Sequence, residues 1–151
     1  MKLSKFIFSS LMFIISCSTD DEPKPLEAAP LQEPVESAYP PANSVPTSMG
    51  IFIGFAHGLS GQAVVYTDDK KMRKLRLEDF NMTSGPDVYV FLSKTNNYSA
   101  GNTIPITMLK GSFSNSNLTL ALNGSIDLSI YKFVLVYCVQ YSSLFGYTEP
   151  L

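Results

Sequence analysis

The sequence predicts an all-β fold, a single antiparallel β-sandwich domain, and three observations carry the prediction. Apolar and polar residues alternate at period two through most of Gly50–Leu151, the spacing of strands rather than of helices. Turn-forming residues interrupt the alternation at short intervals: His57-Gly58-Leu59-Ser60-Gly61, Asp68-Asp69-Lys70-Lys71, Ser84-Gly85-Pro86-Asp87 and Asn123-Gly124. The longest apolar run of this region, Phe133–Val139, is rich in β-branched and aromatic residues, which a pleated surface accommodates best.

Each element follows from its own letters. Gly50–Ala56 opens the domain as a strand carrying Ile51, Phe52, Ile53 and Phe55, and Gln62–Thr67 is the next. Lys74-Leu75-Arg76-Leu77 alternates with its leucines inward, while Arg76–Asn81 is the one short helix candidate. Val88–Ser93 is apolar on both faces, Asn96–Asn102 is polar and loose, and Ile104–Lys110 is again a strand. Leu118, Leu120 and Leu122 line one face of a further strand, and Asn123-Gly124 is a hairpin-type turn signal. In Phe133–Val139, Phe133, Leu135 and Tyr137 point one way and Val134, Val136 and Cys138 the other. Both sets are apolar or weakly polar, so this strand belongs in the middle of the fold, covered on both sides. About 100 residues suffice for one core and are too few for two.

Upstream of Gly50 the composition changes twice. Residues 1–16 read as a secretory signal, with Lys2 and Lys5 before an apolar stretch, Phe6–Ile15, too short to span a bilayer. Ile14-Ile15-Ser16-Cys17 resembles a bacterial lipobox, which makes Cys17 the lipid-attachment residue and ties the protein to a membrane through that lipid; an ordinary signal cut elsewhere is the alternative. Residues 17–49 form a spacer. Seven of the ten prolines fall in Ser18–Met49, with six acids against Lys24, a composition that predicts a disordered tether. Such a segment spans roughly 30 Å as a flexible coil and about 100 Å as polyproline II. Ser18-Thr19-Asp20-Asp21-Glu22 resembles the export signal of Bacteroidetes surface lipoproteins. The expected location is therefore the outer membrane, facing the exterior, with the periplasmic face as the alternative.

Charge and motif absences narrow the chemistry. The formal net charge is −2, and loss of Lys2 and Lys5 with the signal makes it −4, so no basic excess exists to hold nucleic acid. The chain has one histidine, His57, which excludes an HExxH zinc site, and it shows neither a CxxC pair nor a glycine-rich phosphate loop. No metal site is expected. Sequons begin at Asn81, Asn97, Asn117 and Asn123, and they carry little meaning if the lipobox makes the protein bacterial.

What remains is Cys138. With Cys17 committed to lipid, it is left single in an oxidising compartment. It is either a small hydrophobe in the core or a redox group, and its neighbours Val136, Tyr137 and Val139 supply no cation to make a thiolate. His57, in a glycine-bounded loop, is the candidate assistant: an imidazole nearby would orient the sulfur, or join it as a ligand to a soft metal or haem iron. The plain alternative is a loop histidine donating to a carbonyl. Met49, Met72, Met82 and Met108 complete a ligand set on paper but are spaced like strand filling.

These pieces resemble the DM-13 domain family. The resemblance rests on Gly50-x-Phe52, His57-x-x-Ser60-Gly61, Leu75-x-Leu77-Glu78-Asp79-Phe80 and Gly85-Pro86-Asp87-Val88-Tyr89-Val90-x-Leu92. It continues through Leu109-Lys110-Gly111, Ile126-Asp127-Leu128-x-x-Tyr131, Val134-x-Val136-Tyr137-Cys138 and Phe145-Gly146-Tyr147. Tyr137 stands where tryptophan is typical, and the ending Thr148-Glu149-Pro150-Leu151 departs from the usual Ala-x-Leu. The resemblance implies an electron-transfer module, found fused to redox domains in animal cell-surface proteins and alone in bacterial lipoproteins. It implies Cys138 as the redox centre, as a bare thiol or as a ligand to a group such as haem, with a redox protein as partner. The competing expectation is a non-catalytic surface binding or adhesion module, using the loops His57–Gly61 and Asn96–Asn102 on a surface partner, with Cys138 as core packing. Whether the domain is an enzyme stays open at this point.

Overall fold

The computed structural model describes residues 44–151; the signal segment, Cys17 and the tether up to residue 43 lie outside the described residues. The chain forms eight strands, β1 (Val45–Gly54), β2 (Ser60–Thr67), β3 (Arg73–Met82), β4 (Val88–Ser93), β5 (Thr103–Leu109), β6 (Phe113–Ala121), β7 (Phe133–Cys138) and β8 (Ser143–Thr148). They make one antiparallel sheet in the order β5-β4-β7-β8-β1-β2-β3-β6. The expected all-β class holds, with no helix among the described residues.

The two layers of the sandwich are one sheet folded over at β1. Its first part, Val45–Ile51, pairs with β2, and its last part, Phe52–Gly54, pairs with β8. A strand that switches partners part-way is how a sheet turns a corner and packs on itself. Between the layers lie Leu75, Leu77, Leu118 and Leu120 from one side and Val88, Val90, Leu92, Val134 and Val136 from the other, all buried in one cluster. Phe52, Phe80 and Phe145 belong to the same cluster, and Phe52 meets Phe80 edge-on with centroids 5.7 Å apart.

Three expectations need correction. First, β1 begins at Val45 rather than Gly50, so Val45–Met49 belongs to the domain and not to the spacer. Pro46 made this stretch read as tether, because proline removes a ladder donor. The pairing shifts register between Pro46 and Ser48, and there the Thr47 hydroxyl donates to the Val65 carbonyl at 3.1 Å. Second, Arg76–Asn81 is not helical but lies within β3. A register shift between Leu77 and Phe80, with Asp79 at φ 47°, inserts one extra residue, so the inward positions Leu77 and Phe80 are three apart and mimic a helical spacing. Third, Asn123-Gly124 closes no hairpin: β6 pairs with β3 while β7 pairs with β4 and β8, and the chain between them crosses from one layer to the other. Asn123 instead builds a local turn, its Oδ1 accepting from Ser125 N at 3.0 Å and Ser125 Oγ at 2.9 Å.

The strand that holds Cys138 sits where its composition demands. β7 lies between β4 and β8, in register Val88↔Cys138, Val90↔Val136 and Leu92↔Val134 on the core side. On its other face Leu135 is fully buried, while Phe133 and Tyr137 are half-buried.

Candidate functional site

Cys138 closes the core at the last position of β7 and is 1 % exposed. Its Sγ donates to the Pro86 carbonyl at 2.8 Å, so the sulfur carries its proton in this arrangement. Pro86 belongs to the turn that leads into β4. That turn is held down at several points: Val139 N donates to the Asp87 carbonyl at 3.0 Å, and Ser84 N to Ser112 Oγ at 2.9 Å. Gly85 is required for the fit, since a Cβ there would meet the Phe145 ring at 2.8 Å and Val88 at 3.0 Å. The thiol thus lies directly under a surface turn of four residues.

His57 occupies the connection between β1 and β2. His57 and Gly58 both have positive φ, 56° and 62°, and Leu59 N donates back to the Ala56 carbonyl at 3.2 Å. Positive φ at both central residues is the pattern of a type I′ turn, and Gly58 supplies the position a side chain tolerates least. The turn folds back over β8, whose Gly146 gives room: a Cβ there would strike the Ile53 carbonyl and Leu59. The imidazole is exposed and stacks on Phe145 with centroids 3.8 Å apart and planes at 13°. Thr83 Oγ1 donates to the His57 carbonyl at 3.2 Å, so the 3.2 Å contact between Nδ1 and the same Oγ1 is donated by the ring. In the neutral ring that leaves Nε2 as the acceptor nitrogen.

The structure places Cys138 and His57 toward one end of the sandwich, linked through Phe145 and the Gly85-Pro86 turn, but gives them separate hydrogen-bond partners. The thiol bonds to Pro86 and the imidazole to Thr83. The methionines do not converge with them: Met49 and Met72 are exposed, Met108 is half-buried, and Met82 fills the core. Among the described residues no three His, Cys, Asp or Glu side chains form a metal-binding group. A haem at Cys138 does not fit this arrangement, because its sulfur is covered and engaged by a backbone carbonyl.

Sequence reasoning did not single out Pro86, Thr83 and Phe145 as the partners of these two residues. Gly85-Pro86 and Phe145-Gly146 stand among the motif residues, and their spacing was the available signal. Tyr89, two residues beyond the turn, has its phenol shifted above the ordinary 10.0, first by desolvation and then by the Asp87 carboxylate. Farther along the outer face, Tyr98 of the β4–β5 loop stacks on Tyr137.

No curated protein and no solved structure matches this chain. The sequence pattern of one family, described as electron transfer DM13, matches residues 51–149, a span that contains every strand from the sheet-switching part of β1 to β8 together with Cys138, His57 and the Pro86 turn. The chain belongs to the electron transfer DM13 family.

Proposed function

We propose that this domain is an electron-transfer module of the cell envelope, anchored by lipid at Cys17 and using Cys138 as its redox group. Membership of the electron transfer DM13 family is the observation that carries the reading. The geometry supports a particular form of it. The thiol is kept protonated beneath the Ser84–Asp87 turn and reacts when that turn lifts, losing its proton to solvent and presenting a thiolate. Cys138 has no second cysteine in the folded domain. Its two-electron oxidation product is therefore a mixed disulfide with a partner thiol, formed by attack of the thiolate on a partner disulfide with release of the other partner sulfur.

The test is the full chain and its Cys138→Ser variant, offered a low-molecular-weight disulfide. The native chain forms one mixed disulfide, and the variant forms none while its far-ultraviolet circular dichroism is unchanged. Absence of any mixed disulfide in the folded native chain would end the proposal. Anchorage is tested separately: Cys17→Ala should release the protein from the membrane fraction, and retention of the variant there would refute lipid attachment at that residue.

One observation favours a second reading, a surface binding module with Cys138 as packing. Met49, Ile51 and Ile53 on one face of β1, with Phe55 just beyond its end, are 58 %, 56 %, 40 % and 61 % exposed. Contiguous exposed apolar side chains mark interaction surfaces. This version predicts that Ile51→Asp abolishes attachment to a surface partner and Cys138→Ala does not.

A further inference from the structure

Resting on the electron-transfer reading, we propose that the stacked pair Tyr98–Tyr137 is the surface port through which the domain gives an electron to an outer-sphere, metal-centred one-electron acceptor. The two rings are nearly parallel, at 8°, with centroids 4.0 Å apart. Aromatic pairs in proteins often meet edge-to-face instead, and the neighbouring rings here do so. Phe91, which is 5 % exposed, meets Tyr98 edge-on at 5.0 Å and Tyr137 at 6.4 Å and backs the stack from the sheet. A parallel pair of phenols at this separation shares the positive charge left by one-electron oxidation across both rings. A single phenol has no such partner, so the pair is the easier of the two to oxidise.

Position supports the same assignment. The Cys138 sulfur is sealed and faces a carbonyl, which accepts a hydrogen bond but is no base. Tyr137 precedes it on β7 with its side chain on the opposite, outward face, where both phenols are half-buried and reach solvent. Tyr98 is delivered by a loop with its own internal bonds. Lys94 N donates to the Asn102 carbonyl at 3.0 Å, Asn102 N to the Ser99 carbonyl at 2.9 Å, and Thr103 Oγ1 to the same Ser99 carbonyl at 2.9 Å. The stack is therefore held from two separate elements rather than by chance contact of adjacent residues.

One electron leaves the pair and reduces the acceptor by one electron. One phenol proton passes to solvent water, leaving a neutral phenoxyl radical beside an intact phenol. An electron from a reduced metal-centred one-electron donor and a proton from water restore the pair. When both rings are oxidised before restoration, two acceptor equivalents are consumed and one carbon–carbon bond joins the rings with loss of two hydrogens.

The experiment uses the full chain with photogenerated tris(bipyridine)ruthenium(III) as oxidant. Oxidation rate, the electron paramagnetic resonance of the trapped radical and a peptide map are recorded for the native chain, Tyr98→Phe, Tyr137→Phe, Tyr141→Phe and Cys138→Ala. Tyr→Phe keeps the ring and the stack, so folding is preserved. Tyr141 is 68 % exposed with no ring contact among the described residues, which makes it the control. The expected result is a loss of roughly tenfold in rate for Tyr98→Phe and Tyr137→Phe, with Tyr141→Phe and Cys138→Ala near native. A cross-link mapping to Tyr98 and Tyr137 is expected alongside it. A rate that falls only with Cys138→Ala overturns the tyrosine port and leaves the electron-transfer reading standing. A rate that follows exposure alone, with Tyr141 as the radical site, overturns the port. No variant-dependent oxidation at any residue overturns the port as well, whereas the electron-transfer reading falls separately, if Cys138 forms no mixed disulfide.

Discussion

How fast the thiol of Cys138 reacts in the folded protein decides between a gated redox group and inert packing. The perturbation is a thiol-specific chromogenic reagent added to the native full chain and, separately, to the chain in denaturant. Because the sulfur is 1 % exposed, reagent reaches it only through an opening. If the opening is local, the bonds that must break are Cys138 Sγ to Pro86 O, Val139 N to Asp87 O and Ser84 N to Ser112 Oγ. At about 1 kcal/mol each, lifting the turn costs about 3 kcal/mol. That slows labelling by about two orders of magnitude relative to the unfolded chain. Global unfolding instead costs about 5–15 kcal/mol and slows it by roughly four orders or more. The expected result is protection near a hundredfold, with little dependence on sub-denaturing urea. Ser112→Ala, which removes one anchor of the turn, should speed native labelling about fivefold. Protection of roughly ten thousandfold that falls steeply with urea would show that the sulfur is reached only when the whole sandwich opens, and the gated-thiol reasoning would be refuted.

Other consequences are open to measurement. Glu78 accepts from Arg76 Nε at 3.0 Å and Gln62 Nε2 at 2.7 Å, and both it and Arg76 are buried, so Glu78→Ala should cost about 3 kcal/mol in urea unfolding. A cost below about 1 kcal/mol would mean that water or another group replaces the carboxylate. Gly146→Ala drives a Cβ into the Ile53 carbonyl and Leu59, and should destabilise by about 1–3 kcal/mol or displace the His57 turn, visible as altered amide shifts there. Asp127 is held below its ordinary 3.8, chiefly by hydrogen bonds from Ser129 Oγ and N. Its folded value is depressed, so its contribution to stability is full above the unfolded value and disappears as pH falls through the folded one. Ser129→Ala should move the carboxyl back toward 3.8 in a side-chain nuclear magnetic resonance titration; an unchanged midpoint would place the cause elsewhere.

Local composition was enough to read the class of the fold and the seat of Cys138. Alternation at Lys74–Leu77 and Leu118–Leu122, and the doubly apolar run Phe133–Val139, depend only on which side chains a pleated strand can bury, so they are legible without knowing the partner strands. The tertiary structure decided what local period cannot carry. The switch of β1 from β2 to β8 and the extra residue near Asp79 are set by pairing between distant segments, and a bulge changes which residues face inward without changing composition. The same holds for the site. That the Cys138 thiol meets Pro86, that His57 rests on Phe145 and Thr83, and that Tyr98 lies on Tyr137 are contacts across long stretches of chain. Their geometry is fixed by which distant strands pair, β4 with β7 and β1 with β8, and no single strand contains it.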